Sequence, residues 1–161
     1  MKFRIGFGYD VHSLASGEEL WLGGILIPHE KGTVAHSDGD ALIHALCDAL
    51  LGAAKLRDIG FHFPDTSEEY KNIDSRVLLG KTCALLKQRG YYVVNVDATV
   101  CAQEPKLIGY IPQMESTLAG IMDIEADMVS IKATTTERLG FVGREEGISV
   151  YVVSLIEKAG E

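Results

Sequence analysis

Phe3-Arg4-Ile5-Gly6-Phe7-Gly8-Tyr9-Asp10-Val11-His12 alternates between large apolar residues and residues that are polar or glycine. A period of two is the signature of a β-strand, whose successive side chains point to opposite faces. Phe3, Ile5, Phe7, Tyr9 and Val11 share one face, and Arg4, Gly6, Gly8, Asp10 and His12 share the other. The second face is bare at two glycines and then carries a carboxylate and an imidazole pointing the same way. Such a strand would deliver metal ligands to an open cleft. With His44 as a third N/O ligand and a fourth position vacant, the set describes a catalytic zinc more than a structural one.

Outward from this strand, Leu20-Trp21-Leu22-Gly23-Gly24-Ile25-Leu26-Ile27 reads as a hairpin with a two-glycine turn. Ser37 or Asp38 is expected to cap a helix from Ala41 to about Ala54, with Ser37-x-x-Asp40 as a loose capping box. A loop follows through Asp58-Ile59-Gly60 and Phe63-Pro64-Asp65-Thr66-Ser67. A second helix is expected from Asp74 to Arg89, stopped by Gly90. Tyr91 to Ala102 reads as a strand, and Pro112 suits the first turn of a third helix reaching about Met122. Met128 to Thr134 and Ile148 to Ile156 read as further strands. The order predicts an α+β fold, a mixed β-sheet with helices packed on one face.

At 161 residues the chain is expected to form a single domain over 1–161, with a sizeable core. The net charge of −8 argues against a nucleic-acid or membrane-surface binder, so an anionic substrate would need local cations. No apolar run approaches the ~18–20 residues that span a bilayer. Met1-Lys2-Phe3-Arg4 runs directly into the strand pattern, so no leader peptide is expected. Cys47, Cys83 and Cys101 lack metal-type spacing and read as reduced buried thiols of a cytoplasmic protein.

Chemistry concentrates in a few segments. Asp40, His44 and Asp48 recur every four residues and stack on one helix face, where Asp48 could hold the second N–H of the His44 ring. Alone, the same stripe reads more readily as a solvated helix face with a satisfied histidine. His36-Ser37-Asp38-Gly39-Asp40 places an imidazole and a hydroxyl at a helix N-terminus, either a phosphate site or a cap. Lys132-Ala133-Thr134-Thr135-Thr136-Glu137-Arg138 offers consecutive hydroxyls beside a lysine and a carboxylate that could hold magnesium with substrate phosphates. It could equally be a threonine-rich strand end. There is no Walker A loop, dinucleotide glycine fingerprint, nucleophile elbow or His-Glu-x-x-His helix.

Gly8-Tyr9-Asp10-Val11-His12, His36-Ser37-Asp38-Gly39-Asp40 with His44, Asp58-Ile59-Gly60 with Phe63-Pro64-Asp65-Thr66, and Lys132-Ala133-Thr134-Thr135-Thr136-Glu137 with Gly140-Phe141 occur in one order. Together they resemble the 2-C-methyl-D-erythritol 2,4-cyclodiphosphate synthase family of the non-mevalonate isoprenoid pathway, over essentially the whole chain. The resemblance implies a lyase that cyclises 4-diphosphocytidyl-2-C-methyl-D-erythritol 2-phosphate with release of CMP. It implies that Asp10, His12 and His44 hold zinc, and that Glu137 holds magnesium or manganese on the diphosphate. His36 and Thr135 would stabilise the transition state, with Ser37 beside them. Asp58, Ile59, Gly60, Phe63, Pro64, Asp65, Thr66 and Ser67 would contact the methylerythritol. Ala102 through Ile108, including Lys106 and Leu107, with Ala133, Thr134 and Thr136, would hold the cytidine diphosphate portion, and Phe141 and Arg144 would lie near the centre of the assembly. The implied assembly is a homotrimer with helices outside, sheets around a central axis, and active sites between subunits.

Two positions depart from the family pattern. Ser67 stands where aspartate is frequent, and Glu145 where a small residue is frequent. Two other classes compete with the cyclase: a zinc-stabilised module that binds a nucleotide or isoprenoid diphosphate, and a metal-dependent phosphohydrolase. The second would require a residue placed to activate water, and none is evident.

Overall fold

The computed structural model describes residues 2–160; Met1 and Glu161, the ends of the expected 1–161 domain, lie outside the described residues. Five strands form a mixed sheet: β1 (Phe3–Ser16), β4 (Lys31–Thr33), β5 (Tyr91–Cys101), β6 (Val129–Thr134) and β7 (Gly147–Lys158). Their order is β4-β1-β7-β5-β6, antiparallel except for the β5–β6 pair. The predicted hairpin is present as β2 (Leu20–Leu22) and β3 (Ile25–Ile27), a separate two-stranded ribbon. The main helices are α1 (Ala41–Ala53), α3 (Ser75–Gln88) and α4 (Ile111–Met122); α2 (Ile59–His62) and α5 (Gly140–Gly143) are single turns.

The α+β class with helices on one face holds. The first strand runs on to Ser16, and its last residues pair with β4, a partner too short to read from periodicity. The parallel β5–β6 pair requires a crossover, which α4 supplies.

The glycine face of β1 is covered by α1, not open as its bareness suggested. A Cβ on Gly6 would lie 1.8 Å from the Ala49 carbonyl oxygen, and one on Gly8 would lie 1.9 Å from that of Ala45. The glycines let a helix lie against the strand at backbone distance, which brings His44 over Asp10 and His12. Leu42, Leu46, Leu50, Val100, Val150 and Val152 complete the core between α1 and the sheet.

The opposite sheet face carries the alternating apolar side chains of β1, and it is uncovered. Ile5 is 74% exposed and Phe7 63%, and Tyr9, Val11, Tyr151 and Val153 continue the patch. A patch of this kind on an isolated chain marks an interaction surface.

The expected cap at Ser37 or Asp38 is replaced by Asp40. Its side chain accepts the Ile43 N–H at 3.0 Å, and also the Gly23 and Gly24 N–H groups at 2.9 and 2.6 Å. Asp40 is fully buried. It ties the turn of the β2–β3 hairpin to the start of α1, so it does not belong to a solvated stripe with His44. Because its carboxylate fills the first turn, the α1 N-terminus is not a free phosphate site. Burial pushes the Asp40 carboxyl above its usual range, against the pull of the backbone donors from Gly24, Ile43 and Gly23.

Candidate active site

Asp10 and His12 leave β1 on the glycine face, and His44 arrives from the first turns of α1. Asp10 Oδ2 lies 3.1 Å from His12 Nε2 and 3.3 Å from His44 Nδ1, and the two nitrogens are 3.1 Å apart. Four-coordinate zinc with bonds of about 2.0–2.1 Å needs ligand atoms roughly 3.3 Å apart. The triangle would therefore fit as three ligands of a tetrahedral ion. Asp10 Oδ2 is buried and has no hydrogen-bond partner outside the triangle, as a ligand atom prepared for an ion would be. Among the described residues, these three form the one cluster of three or more histidine, cysteine, aspartate or glutamate ligands within ligand distance.

Electrostatics agree with the geometry. Burial alone would raise the Asp10 carboxyl, but the hydrogen bonds and charge of His12 and His44 outweigh it and hold it at about 2. Burial alone would lower His44, and Asp10 reverses that and raises it. The carboxylate is thus ionised throughout the physiological range.

The outer nitrogen of His44 does not meet Asp48, as the four-residue stripe suggested. Asp48 accepts the Ile59 N–H at 2.7 Å and so fixes the start of α2. His44 Nε2 lies instead 2.9 Å from Ser75 Oγ and 3.2 Å from Ser37 Oγ. Ser75 is the first residue of α3, capped by Asp74, and it went unnoticed in the sequence because 31 positions separate it from His44.

A cavity of about 440 Å³ opens beside the triad, lined by His12, His36, Ser37 and His44 on one side and by Ile59, Gly60, Phe63 and Asp65 on the other. Ile73, Tyr70 and Leu78 close it and were not foreseen. Other residues of the predicted 58–67 loop have structural duties: Asp58 caps α2 through the Phe61 N–H, and Ser67 caps a short turn through the Glu69 N–H. Pro64 and Thr66 do not line the cavity. The Ser67 carbonyl lies 3.4 Å from His36 Nε2, so the departure at this position leaves its backbone contact in place.

A second cavity, of about 230 Å³, is lined by Ala102, Gln103, Pro105, Lys106, Leu107, Ile108, Ala133, Thr134 and Thr135. The two predicted segments 102–108 and 133–135 do converge, because the ends of β5 and β6 are paired at Cys101 and Thr134. Leu107 is largely turned into the core. Glu137 and Arg138 both adopt left-handed backbone conformations, at φ 53° and 63°, a cost of order 1 kcal/mol each that is common where a loop is shaped for function. Thr135 Oγ1 donates to Glu137 at 3.4 Å, whereas Thr136 Oγ1 donates to the Leu139 carbonyl. Lys132 is paired with Asp97. Glu145 pairs with Lys31 at 3.6 Å, and Arg144 pairs with Glu146 at 2.7 Å. Phe141 and Arg144 line neither of these cavities.

The two cavities do not meet within one chain. His12 is opposite Ile148, its neighbour Ser149 is opposite Cys101, and Cys101 is opposite Thr134. Three strand spacings of about 4.8 Å put roughly 14 Å between the triad and the threonine loop, along one sheet edge.

A family model, the YgbB family, matches residues 3–157. The chain belongs to the YgbB family. It is 64% identical over 159 residues to a protein of Phocaeicola vulgatus named 2-C-methyl-D-erythritol 2,4-cyclodiphosphate synthase, covering 99% of each chain. It is 63% identical over 158 residues to the protein of that name from Bacteroides thetaiotaomicron, covering 98% of this chain and 99% of the relative. Among solved structures, it superposes on the bifunctional IspDF of Campylobacter jejuni with a TM-score of 0.94 at 41% identity, covering 98% of this chain and 42% of that longer one. The CDP complex of IspF from Plasmodium falciparum gives 0.87 at 30% identity over 99% and 98% of the two chains. The superpositions show that the chain shares the fold of these structures. No helix among the described residues is long and apolar enough to cross a membrane.

Proposed function

We propose that this YgbB-family chain is a metal-dependent lyase that converts 4-diphosphocytidyl-2-C-methyl-D-erythritol 2-phosphate into 2-C-methyl-D-erythritol 2,4-cyclodiphosphate and CMP. The observation that carries this reading is the triangle of Asp10, His12 and His44, whose buried Asp10 oxygen has no partner outside it, beside a cavity. The residues fit zinc, and Glu137 with its neighbouring hydroxyls suits magnesium or manganese, which commonly bind through one or two carboxylates plus substrate phosphates. When bound, these ions neutralise phosphate charge and polarise phosphate oxygens.

In the reaction, an oxygen of the substrate's 2-phosphate forms a bond to the β-phosphorus, and the bond from that phosphorus to the bridging oxygen breaks. CMP leaves with that oxygen. Phosphoryl transfer asks a protein for positioning and charge stabilisation rather than a covalent nucleophile. His36 and Ser37 stand where a phosphate beside the triad would be hydrogen-bonded, while Ile59, Gly60, Phe63 and Asp65 wall the polyol. Lys106 and Thr135, in the second cavity, supply a cation and a hydroxyl for the diphosphate, with the cytidine between the 102–108 and 133–135 segments.

Since those two cavities are separated within one chain, the site is completed by juxtaposing the triad of one subunit with the threonine loop of another. A homotrimer with its sheets around an axis does this and covers the apolar face of β1 and β7. Each subunit of that assembly would contribute the one domain expected over 1–161.

The test uses purified protein, zinc and magnesium with the cytidyl substrate, followed by phosphorus NMR. Cyclic diphosphate and stoichiometric CMP are expected. Linear phosphates would identify a hydrolase, and absence of CMP a binding protein, and either result defeats the proposal.

A further inference from the structure

His44 enters the ligand triangle through Nδ1 and is held from behind at Nε2, 2.9 Å from Ser75 Oγ. The Ser75 hydroxyl is also 2.5 Å from Asp38 Oδ1, and the Ser75 backbone N–H donates to Asp38 Oδ2 at 2.8 Å. Asp38 Oδ1 additionally accepts the Asp40 N–H at 3.1 Å. Ser75 is fully buried. An ionised carboxylate only accepts, and a serine hydroxyl has one hydrogen to give. That hydrogen goes to Asp38. Ser75 therefore presents a lone pair to His44, and only a ring carrying its hydrogen on Nε2 can use it. A neutral ring of that form has a bare Nδ1 facing Asp10 and His12.

We infer that Asp38 and Ser75 form a relay that selects the Nε2–H form of His44 and aims its Nδ1 lone pair at the metal. Both are positioning residues acting through His44, and the inference rests on the metal-centre reading above. Ligating imidazoles ordinarily give their second N–H directly to a carboxylate, a carbonyl or water. Here the carboxylate acts at one remove, through a hydroxyl delivered by a different helix. Ser37 Oγ, at 3.2 Å, accepts the Gly39 N–H and is the longer second contact of Nε2. Asp48, one turn along α1, is occupied by Ile59 and plays no part.

The relay has a polarity that can be reversed without creating a hole. In Asp38→Asn, an amide oxygen that keeps the Ser75 N–H leaves its NH2 group against the Ser75 hydroxyl, and the Asp40 N–H loses its acceptor. The serine hydrogen then swings toward His44 and favours the ring form with its hydrogen on Nδ1, where the metal must bind. Ser75→Ala removes the lone pair but keeps the backbone N–H to Asp38.

The test measures zinc affinity of the full chain by competition with a chromophoric chelator. It also reads the protonation of His44 from the 15N shifts of histidine-labelled, zinc-loaded protein. Ser75→Ala is expected to weaken zinc by about 10–100-fold, Asp38→Asn by at least as much, and Asp48→Asn by less than about threefold. In the unsubstituted protein, His44 should show a protonated Nε2 and a metal-bound Nδ1. The relay is overturned if folded Ser75→Ala and Asp38→Asn both bind zinc within about threefold of the parent, or if Asp48→Asn costs as much as Ser75→Ala. A parent His44 lacking the Nε2 hydrogen also overturns it, whether or not either variant folds. A parent chain that takes up no zinc defeats the metal-centre reading itself, a result distinct from equal binding by all variants.

Discussion

At the scale of single residues, the triad binds its own members together before any ion arrives. Asp10 is held at about 2, below the ordinary carboxylate value of about 3.9, so its contribution to stability is present above the ordinary value and fades as pH falls toward 2. His44 is raised, so its contribution is complete below the ordinary histidine value of about 6.5 and fades as pH climbs through the raised one. His44→Ala is accordingly expected to lose zinc and turnover while still folding. In metal-free protein, the stability gap between parent and variant should be wider at pH 6 than at pH 9, as measured by urea unfolding; a gap that widens with pH contradicts the pairing. Asp40 is a different case, buried and structural. Its removal in Asp40→Ala strips a helix cap and leaves two further buried N–H groups unpaired, a loss of about 3 kcal/mol or more in urea unfolding. Asp10 and His12 were legible as a pair in the sequence because alternation puts them on one face. Ser75 and Asp38 were not, since nothing local links a helix start to an imidazole 31 positions away.

Among the elements, the contact of α1 with β1 decides the site. Gly6 and Gly8 admit the helix backbone, and His44 immediately precedes Ala45, whose carbonyl oxygen a Gly8 Cβ would strike at 1.9 Å. Gly8→Ala should therefore push α1 off the strand, costing about 3 kcal/mol or more and lowering zinc stoichiometry in the folded fraction. Calorimetry and metal analysis check both, and a variant with parental melting and a full zinc complement would refute this account of the glycines. The sequence showed these glycines but not their purpose. A bare strand face is compatible with an open cleft or with a helix seated close, and only packing distinguishes them. The hairpin, the three long helices and the long strands were readable because their periodicity and turn residues are local. The Lys31–Thr33 strand was not, because three residues containing a glycine acquire strand identity only by pairing with the end of β1.

For the whole molecule, the uncovered face of the sheet and the divided cavities point to the same assembly. Ile5, Phe7, Tyr9 and Val11 on β1 and Tyr151 and Val153 on β7 form an exposed apolar face of the kind that marks an interaction surface, and the proposed trimer would cover it. Light scattering should report three times the chain mass for the parent. Ile5→Asp, at the most exposed position of the patch in β1, is expected to shift the molecule to monomer and to abolish turnover while the zinc triad is retained. A monomeric variant with full activity would show that one chain completes the site. With a formal charge of −8, the proposed phosphate-rich substrate would have to be held by local cations and metal ligands.

By itself, the sequence indicated the fold class, Asp10 and His12 as a pair on one strand face, and the segments that contribute to the two cavities, because each is written in short-range periodicity or in residue types with few alternative uses. The tertiary structure decided what covers the glycine face, what stands behind His44, and which predicted residues share a cavity. Those depend on distances between segments far apart in the chain, and pairing and packing alone set them.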